Sequence, residues 1–379
     1  MEKILIFSTA YMPHIGGAEV AVYEITKRLA GRFGFILITY RFDRSLPKNE
    51  NINGVEVWRL GFGTKLDRWF IFPFLACVKG WQLQRLHRIR ILWAIMVSYA
   101  SIGACLLKIF KPRLRLLLTL QEGDSEQHLT FGKGGMLGLW WGILARRADR
   151  VSAISTYLAR RAAKWGAKGE IAIVPNGVDF EHFSKIPDPA GQDLLRESLG
   201  LSSSDIVVTT VSRLVFKNAV DTSIQAFKFL EPNYKFLVLG EGEERPALEK
   251  LAKEEGLEQR VIFLETISHK LLPQYLRLAS VFVRPSRSEG LGNVFLESMA
   301  SGVPMVATPV GGITDFLKDK ITGLFCRPND PKDLAEKIKL LATDNRLSHQ
   351  VSENARKLVA EQYSWSPIAA AMEKIFKEL

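Results

Sequence analysis

One stretch of the sequence decides the fold: Pro285-Ser-Arg-Ser-Glu-Gly-Leu-Gly-Asn-Val-Phe-Leu-Glu-Ser298. It follows the apolar run 281–283, which predicts a β-strand, passes through a glycine-containing loop and enters a helical pattern over 292–300. A strand that leads through a short loop into a helix is the repeating unit of parallel α/β sheets. This stretch therefore predicts an α/β protein.

The same alternation of strand and helix fills both halves of the chain. Strands separated by helices of about 10–15 residues predict doubly wound parallel sheets with helices on both faces. In the first half, a helix is predicted at 18–30 and strands at 3–9, 35–40, 55–60, 89–96, 115–120, 150–153 and 171–174. In the second half, strands are predicted at 206–211, 235–239, 261–264, 281–283 and 304–307, and helices at 246–255, 270–279, 292–300 and 331–341.

The length of 379 residues suggests two domains, because one domain usually spans about 100–200 residues. A turn cluster over 174–179 and the polar, proline-containing stretch 184–192 mark the boundary. The first domain is then 1–183, the second is 184–363, and a helix over 364–379 crosses back to the first. Two Rossmann-like domains in tandem predict a deep interdomain cleft facing the carboxyl ends of both sheets, where open α/β folds bind ligands.

Composition argues against several classes of protein. A hydrophobic fraction of 47% is too high for a disordered chain, and three cysteines without CxxC spacing argue against disulfides or zinc and for a reducing, cytoplasmic compartment. Residues 1–180 carry a net charge of +13, and residues 181–379 carry −2. This field favours an anionic partner, such as a phosphate-bearing substrate or the inner membrane leaflet, with solubility alone as the alternative. No nucleic-acid-binding motif is present, so nucleic acid is not an expected partner.

The apolar stretch 91–110 has the length of a membrane span, with Lys108 as its only charge. Polar residues and a glycine interrupt it between 98 and 103, and the strand–helix alternation continues on both sides. We therefore predict a buried strand at 89–96 and a helix at 97–110, with an integral membrane protein as the alternative. The N-terminal residues fit a first strand better than a signal peptide.

The opening stretch also carries residues that suggest chemistry. Glu289 precedes the predicted helix and Glu297 lies eight residues later, and carboxylates accept hydrogen bonds from pairs of sugar hydroxyls. The alternative is a helix-capping glutamate and a solvated one. A helix N-terminus presents unpaired N–H groups and a positive dipole end to an anion. The residues at this N-terminus are Gly290, Leu291, Gly292 and Asn293.

Two cations and two glycines supply further contacts for an anion. Arg213 and Lys217 stand four positions apart after the predicted strand 206–211. They suit a diphosphate, with the arginine as a fork and the lysine as a compact charge, although two ordinary surface cations are the alternative. Gly16 and Gly17 lie between the first strand and the first helix, where the backbone must approach a ligand closely.

Together these segments resemble the retaining GT-B glycosyltransferases of family 4. The resemblance covers nearly the whole chain, and the Glu-x7-Glu segment with its flanks is its most specific part. The matching segments are Tyr11-Met-Pro-His-Ile-Gly-Gly17, Val174-Pro-Asn-Gly-Val-Asp179, Ser212-Arg-Leu-Val-Phe-Lys-Asn218, Pro285-Ser-Arg-Ser-Glu-Gly-Leu-Gly292 and Glu297-Ser-Met-Ala-Ser-Gly-Val-Pro-Met-Val-Ala307.

The resemblance implies the GT-B fold and transfer of a hexosyl unit, with retention, from a UDP- or GDP-sugar to a glycan or lipid-linked acceptor. It implies that Arg213 and Lys217 neutralise the diphosphate leaving group, helped by the Gly16-Gly17 and Gly292-Asn293 amides. Glu289 would hold sugar hydroxyls, and Glu297 would hold the ribose. The catalytic residues that the resemblance implies are Glu289, Arg213 and Lys217. Cations and N–H donors that point at the negative charge growing on the leaving group lower the reaction barrier without a protein nucleophile. The resemblance also implies no obligatory metal or other cofactor, and no DxD metal site is present.

The sequence departs from the family pattern on the acceptor side, where His14 also lies. The family commonly has a histidine where this chain has Gln121, which cannot titrate. Glu122, Asp124 and His128 lie nearby and can supply acceptor contacts or a base. The departure leaves a second hypothesis open, a non-catalytic subunit that binds a nucleotide sugar or a glycan. Another GT-B reaction, such as epimerisation, is a third.

Aromatic residues between Trp58 and Trp81, followed by several arginines, suggest contact with a membrane. Rings at the interface and cations on anionic lipid are typical of peripheral attachment. The alternative is an apolar excursion that packs on its own domain, since Pro73 interrupts the helical periodicity. We predict a peripheral protein on the inner face of the plasma membrane.

Overall fold

The computed structural model describes residues 1–14, 16–64, 66–124 and 136–379. The chain divides into two compact units, one formed by Met1–Asn176 together with Trp365–Leu379, the other by Gly177–Ser364. The sequence placed these divisions at 183 and 363.

The first unit alternates strands and helices around one sheet. Its strands are β1 (Glu2–Phe7), β2 (Phe33–Tyr40), β3 (Asn49–Ile52), β4 (Val55–Leu60), β5 (Ile91–Ile95), β6 (Arg115–Leu120), β7 (Arg150–Ala153) and β8 (Ile171–Ile173). Its first helices are α1 (Gly17–Leu29), α2 (Phe72–His87), α3 (Tyr99–Phe110), α4 (Met136–Arg147) and α5 (Thr156–Lys164). The strand order is β3-β4-β2-β1-β5-β6-β7-β8, and all neighbouring strands are parallel except β3, which is antiparallel to β4.

The second unit is also built on a parallel sheet. Its strands are β9 (Ile206–Val211), β10 (Tyr234–Leu239), β11 (Val261–Leu264), β12 (Val281–Arg284), β13 (Met305–Ala307) and β14 (Leu324–Phe325), in the order β11-β10-β9-β12-β13-β14. Its helices are α6 (Phe180–Ser184), α7 (Pro189–Ser198), α8 (Val220–Ala226), α9 (Arg245–Glu254), α10 (Leu272–Leu276), α11 (Asn293–Ala300), α12 (Ile313–Phe316), α13 (Pro331–Thr343) and α14 (Asn345–Gln362). Two parallel-sheet α/β domains confirm the predicted fold class.

The last helix, α15 (Trp365–Lys377), completes the core of the first unit. Its Phe376 is 1% exposed, and its ring centroid lies 5.2 Å from that of Trp93 and 5.6 Å from that of Phe33. Trp93 belongs to the central strand β5, so the end of the chain reaches the middle of the first sheet.

The stretch that could have spanned a membrane forms strand β5 and helix α3, as predicted. All five residues of β5 are buried, and Ser98 caps α3 by accepting a hydrogen bond from the Ser101 N–H. Among the described residues, no helix is both long and apolar enough to cross a membrane.

Several elements lie outside the predictions, and three of them have weak local signals. Helix α2 was taken for an interrupted run, but Pro73 lies in its first turn, where the missing N–H costs nothing. The four-residue strand β3 pairs antiparallel with β4 at the sheet edge, and its exposed positions are polar. Helix α7 lies in the polar stretch taken for a linker, and it has no buried residue. The predicted helix 270–279 is shorter, since α10 spans only Leu272–Leu276.

We predict that Phe376→Ala destabilises the first unit by about 3–5 kcal/mol, because it opens a cavity beneath three aromatic rings. Chemical denaturation followed by tryptophan fluorescence measures the loss. Leu194→Ala on α7, where the leucine is 67% exposed, is the control and should stay within about 0.5 kcal/mol of wild type. Equal stability of the two variants would show that α15 does not close the core.

Candidate active site

The carboxyl ends of β9 and β12 are the place where the second sheet changes its winding direction. From β9 the chain winds outward to β10 and β11, whereas β12, β13 and β14 continue on the other side. Open α/β sheets bind ligands at such a switch point. The two segments that the sequence singled out, 212–218 and 285–292, follow these two neighbouring strands.

Hydrogen bonds join the two loops. The backbone N–H of Arg287 donates to the Lys217 carbonyl at 2.7 Å. The Arg287 guanidinium donates to both carboxylate oxygens of Asp221 at 3.0 and 2.7 Å, and its carbon lies 4.2 Å from the Phe216 ring centroid. The predicted diphosphate loop and the predicted sugar loop are therefore held against each other.

Glu289 is fixed by a buried ion pair. Its side chain is 9% exposed, and the Arg284 guanidinium donates to Glu289 Oε2 at 2.7 Å. The same guanidinium group donates to Asn218 Oδ1 at 2.9 Å, while Glu289 Oε1 accepts the Gly290 N–H at 3.0 Å. The carboxylate thus has one defined position between the two loops.

Arg284, Asn218 and Arg287 were not predicted as site residues. A charged residue at the end of the otherwise apolar run that forms β12 was the available signal for Arg284. A buried guanidinium group needs a carboxylate partner, which pointed to the glutamate five residues later. No local pattern could identify Asn218 as the second acceptor, because its contact joins two segments far apart in sequence.

The cations of the first loop differ in exposure. Arg213 is exposed, and its guanidinium group makes no ion pair with the described part of the chain. Lys217 is half-buried. The Arg213 carbonyl accepts a hydrogen bond of 2.6 Å from Asn218 Nδ2, which fixes the backbone of the loop.

Two glycines permit close backbone contacts beneath these loops. A Cβ on Gly311, where φ is +55°, would lie 1.8 Å from the Glu289 carbonyl oxygen. A Cβ on Gly242 would lie 2.2 Å from the Leu214 carbonyl oxygen. The glycine segments 240–242 and 311–312 therefore let the backbone pack closely beneath the two loops.

Helix α11 begins beside the Glu289 carboxylate. Its N-cap is Gly292, with φ of +84° and no side-chain cap, and a Cβ there would lie 3.2 Å from Glu289 Cδ. Gly290 and Leu291 are buried, whereas Asn293 is half-buried. The positive end of the helix dipole therefore lies next to the Glu289 carboxylate and favours its negative charge.

Glu297 lies on α11 and is held by a histidine that the sequence reasoning missed. Glu297 Oε1 lies 3.0 Å from His269 Nε2, and the His269 carbonyl lies 3.2 Å from His182 Nε2. The two imidazole rings stack with centroids 6.1 Å apart. The Glu297 carboxylate, which is predicted to bind the ribose, thus has a polar neighbour that orients it.

In the first unit, the predicted glycines begin helix α1. Gly16 is its N-cap in extended conformation, Gly17 is its first residue, and both are exposed. His14 is also exposed, and its ring packs edge-on against Phe42 with centroids 5.2 Å apart. These residues follow the carboxyl end of β1.

The acceptor-side residues at the end of β6 differ in burial and contacts. Gln121 Oε1 accepts a hydrogen bond of 3.1 Å from Asn176 Nδ2, so the amide at the family's histidine position is engaged. Glu122 is 7% exposed and accepts the Val97 and Gln121 N–H groups. Asp124 is half-buried, and His128 lies outside the described residues.

Burial raises the pKa of Glu122 to about 7, although the backbone hydrogen bonds oppose the shift. The folded protein therefore retains this proton over a pH range in which the unfolded chain, with an ordinary carboxyl pKa of 4.5, has lost it. Stability should fall as pH rises through this window.

We predict that the difference in unfolding free energy between Glu122→Gln and wild type rises by up to about 3 kcal/mol from pH 5 to pH 8. The wild type loses stability over this range because its carboxyl group releases a proton, whereas glutamine has no proton to release. Denaturation curves across this pH range measure the slope, which is independent of any constant loss caused by the amide. Glu361→Gln, at an exposed position, is the control with no added slope. A flat difference for Glu122→Gln would contradict the raised pKa.

We also predict that Arg284→Met destabilises the second unit by about 3–5 kcal/mol, because it leaves the Glu289 carboxylate buried without a cation. The double variant Arg284→Met with Glu289→Gln should recover part of this loss, since no charge is then buried. Arg327→Met, in a pair whose arginine is 74% exposed, should cost less than about 1 kcal/mol. Additive losses in the double variant would argue against a coupled pair.

Comparisons with known proteins agree with this geometry. A family model described as Glycosyltransferase Family 4 matches residues 15–182, and one described as Glycosyl transferases group 1 matches residues 191–358. The chain is 32% identical over 210 residues to an uncharacterised glycosyltransferase of Methanocaldococcus jannaschii, a match that spans 55% of this chain and 54% of that protein. It is 27% identical to a GDP-mannose-dependent alpha-(1-6)-phosphatidylinositol monomannoside mannosyltransferase of Mycobacterium tuberculosis, over 98% of this chain and 97% of that protein.

Solved structures share the fold over the full chain. Sucrose-phosphate synthase from Thermosynechococcus elongatus superimposes with a TM-score of 0.87 at 22% identity, covering 100% of this chain and 99% of that one. Anabaena HepE in complex with UDP-glucose superimposes with a TM-score of 0.83 at 22% identity, covering 100% of both chains. With one family match in each half and two parallel-sheet domains, the chain belongs to the group 1, family 4-like glycosyltransferases of the GT-B fold.

Proposed function

We propose that this glycosyltransferase moves a hexosyl unit, with retention at the anomeric carbon, from a nucleotide diphosphate sugar to a glycan or lipid-linked acceptor at the cytoplasmic face of a membrane. The observation that carries the proposal is the junction of the two loops at the switch point of the second sheet. There an exposed arginine, a lysine, a helix N-terminus and an oriented carboxylate belong to neighbouring strand ends.

The diphosphate is bound by the first loop and the start of α11 in this proposal. Arg213 is exposed and has no ion pair in the described part of the chain, so a bound phosphate would not have to displace a carboxylate from it. Lys217 and the amides at Gly292 and Asn293 add positive charge and donors. These groups stabilise the leaving diphosphate most strongly when its charge has grown, which lowers the barrier.

The sugar and the ribose are held by the two glutamates. Among the described residues, each carboxylate oxygen of Glu289 has one donor, so each retains acceptor capacity for a sugar hydroxyl. Arg284 acts as a positioning residue, since it fixes the carboxylate without needing to touch the sugar. Glu297, beside His269, accepts the ribose hydroxyls.

We also propose retention and independence of metal, which the positive charges at the site support. With Gln121 in place of a titratable histidine, the departing phosphate itself accepts the acceptor's proton on the same face of the sugar. Arg213 and Lys217 supply the positive charge that a divalent ion would otherwise provide, so we propose that no metal is required. The roles of Gly16 and Gly17 rest on the sequence resemblance.

Relatives indicate which donors to test first. One relative at 27% identity depends on GDP-mannose, and a structural neighbour was solved with UDP-glucose. We propose a UDP- or GDP-sugar donor on this basis. Identification of the base and the hexose requires direct measurement, because isomeric hexoses differ by a single hydroxyl.

A non-catalytic binding subunit is the second candidate function. It is favoured by one observation, the hydrogen bond that engages the Gln121 amide with Asn176. The two functions differ in a simple assay of the wild-type chain. Stabilisation by UDP-glucose or GDP-mannose without release of nucleotide would favour the binding subunit, whereas release of UDP or GDP supports the enzyme.

We predict that Arg213→Ala and Lys217→Ala each lower kcat/KM at least about tenfold, the loss of one charge-assisted hydrogen bond. Nucleotide release from UDP-glucose or GDP-mannose is measured in excess chelator, so that activity of the wild type also tests independence of metal. Lys253→Ala, at an exposed position on α9, is the matched control and should match wild type. A change below about threefold, or about 0.7 kcal/mol, would remove the diphosphate role from that residue.

A further inference from the structure

Helix α2 presents an apolar face to solvent in the first unit. Four large side chains spaced four residues apart are strongly exposed: Leu66 at 74%, Phe70 at 62%, Phe74 at 63% and Val78 at 57%. The π-helical turn Asp67–Ile71 runs directly into α2, so these residues follow one another along one side. Single exposed apolar residues are ordinary, but a continuous row of four indicates an interaction surface.

The opposite side of α2 already packs on the sheet. Phe72, Ala76, Cys77 and Leu83 are buried there. The exposed row is therefore not the side of α2 that packs on the core, because a different side of the helix is already buried there. We call the row Leu66, Phe70, Phe74 and Val78 the α2 face.

A basic cavity lies at the far end of the same helix. Its volume is about 400 Å³, and its lining includes Arg85, Arg88, Arg90 and Arg113 but no acidic residue. Arg85 lies seven positions after Val78, a spacing that keeps it on the side of the helix that carries the α2 face. Arg88 is the C-cap of α2, with φ of +53°, so the cavity lies where the helix ends. We call this group the arginine cavity.

The folding of the unit explains only part of this concentration of positive charge. All four are exposed, and none makes an ion pair or a side-chain hydrogen bond with the described residues. Cations in the last turn of a helix favour its dipole, which accounts for Arg85 and Arg88. Arg113 comes from the loop after α3, so its convergence on the same cavity adds repulsion that an anion would relieve.

The segment that carries the α2 face and leads to the cavity has no exposed acidic residue. Asp67 is the only acidic residue in 66–90, and it is 3% exposed and bonded to Tyr40 and Thr64. Trp81, half-buried, lies on α2 between Val78 and Arg85 in the sequence, with its ring centroid 6.2 Å from that of Phe110 and 4.7 Å from Lys111 Nζ. Apolar side chains, an interfacial tryptophan and uncompensated cations match an anionic lipid surface.

We propose that the first unit docks on an anionic bilayer through the α2 face, and that a lipid headgroup phosphate occupies the arginine cavity. The inference rests on the proposed function only for the membrane location of the acceptor. Strand β4 ends where the segment leading to α2 begins, at the carboxyl edge that also carries Gly16 and Gln121. Because α2 spans about 24 Å from that edge, docking along it brings the acceptor edge to the lipid headgroups.

The test is sedimentation of the full chain with phosphatidylcholine vesicles, with and without phosphatidylglycerol. Wild type should bind only the anionic vesicles, and added salt should release it. Arg88→Gln with Arg113→Gln should weaken binding about 25-fold, about fivefold for each arginine lost. Phe70→Ser with Phe74→Ser should weaken it at least about tenfold, because less apolar surface enters the interface.

Matched control variants change the same properties elsewhere. Arg346→Gln with Lys357→Gln removes two exposed charges from α14, and Ile186→Ser with Leu194→Ser removes two apolar residues that are 82% and 67% exposed in the second unit. Both control pairs should bind as wild type does. Equal losses in control and test pairs, or no binding by wild type, would overturn the proposal.

Other occupants of the surface give different results. A dimer in solution that Phe70→Ser with Phe74→Ser dissociates would assign the α2 face to a second copy of the chain. Thermal stabilisation by inorganic phosphate that requires Arg88 and Arg113, without vesicle binding, would assign the cavity to a free phosphate. Either result overturns docking on lipid.

Nucleotide release from UDP-glucose or GDP-mannose, measured without vesicles, separates this proposal from the proposed function. The docking variants should release nucleotide as wild type does, because none of these residues belongs to the candidate active site. Vesicle binding that depends on the arginines, without any nucleotide release, would contradict the proposed function but support the docking proposal.

Discussion

The buried ion pair between Arg284 and Glu289 is the interaction on which the candidate active site depends. A buried carboxylate and a buried guanidinium group are both costly to remove from water. The pair is tolerable because each of the two side chains has one further hydrogen-bond partner, although Arg284 Nε has none among the described residues. Asn218 accepts from the arginine, Gly290 donates to the glutamate, and the guanidinium carbon lies 5.3 Å from the Phe295 ring centroid. Since Asn218 belongs to the loop after β9, the pair also ties together the two segments that would hold the sugar and the diphosphate. The orientation of one carboxylate is thus linked to the packing of two strands, two loops and one helix.

The end of β6 in the first unit is fixed by similar means but with different chemistry. Trp93 donates to Thr119, whose hydroxyl group contacts that of Ser152 at 2.7 Å, so a polar row crosses three neighbouring strands. Glu122 then accepts two backbone N–H groups at the ends of β5 and β6. This arrangement makes a rigid platform from Gln121 and its neighbours. Within the described part of this platform, the carboxyl group with a raised pKa, that of Glu122, is buried.

Helix α2 packs on the core of the first unit with one side and exposes apolar side chains to solvent on the other. Its buried side packs on the sheet through small and apolar residues, and a Cβ on Gly80 would lie 2.9 Å from the Phe7 ring. Its other side exposes aromatic residues that contribute nothing to this core. The helix therefore has little amphipathic character, which is why periodicity did not reveal it. Net charge of the first half suggested a membrane, but only the exposure of individual side chains separates those that pack, such as Phe72, from those that do not, such as Phe74.

Local patterns in the sequence were sufficient for the fold class, most strands and the loop that carries Glu289, because these depend on apolar runs, glycines and helix starts that are close in sequence. They also separated the strand and helix at 91–110 from a membrane span. Only the tertiary structure decided that Arg284 pairs with Glu289 and Asn218, that His269 approaches Glu297, and that Gly311 lies beneath the Glu289 backbone. Each of these contacts joins parts of the chain brought together by the order of strands in a sheet or by a turn, and strand order is not encoded in any local period. The division is physical: short-range sterics and hydrophobic spacing choose the elements, whereas the partners of buried charges depend on which elements become neighbours.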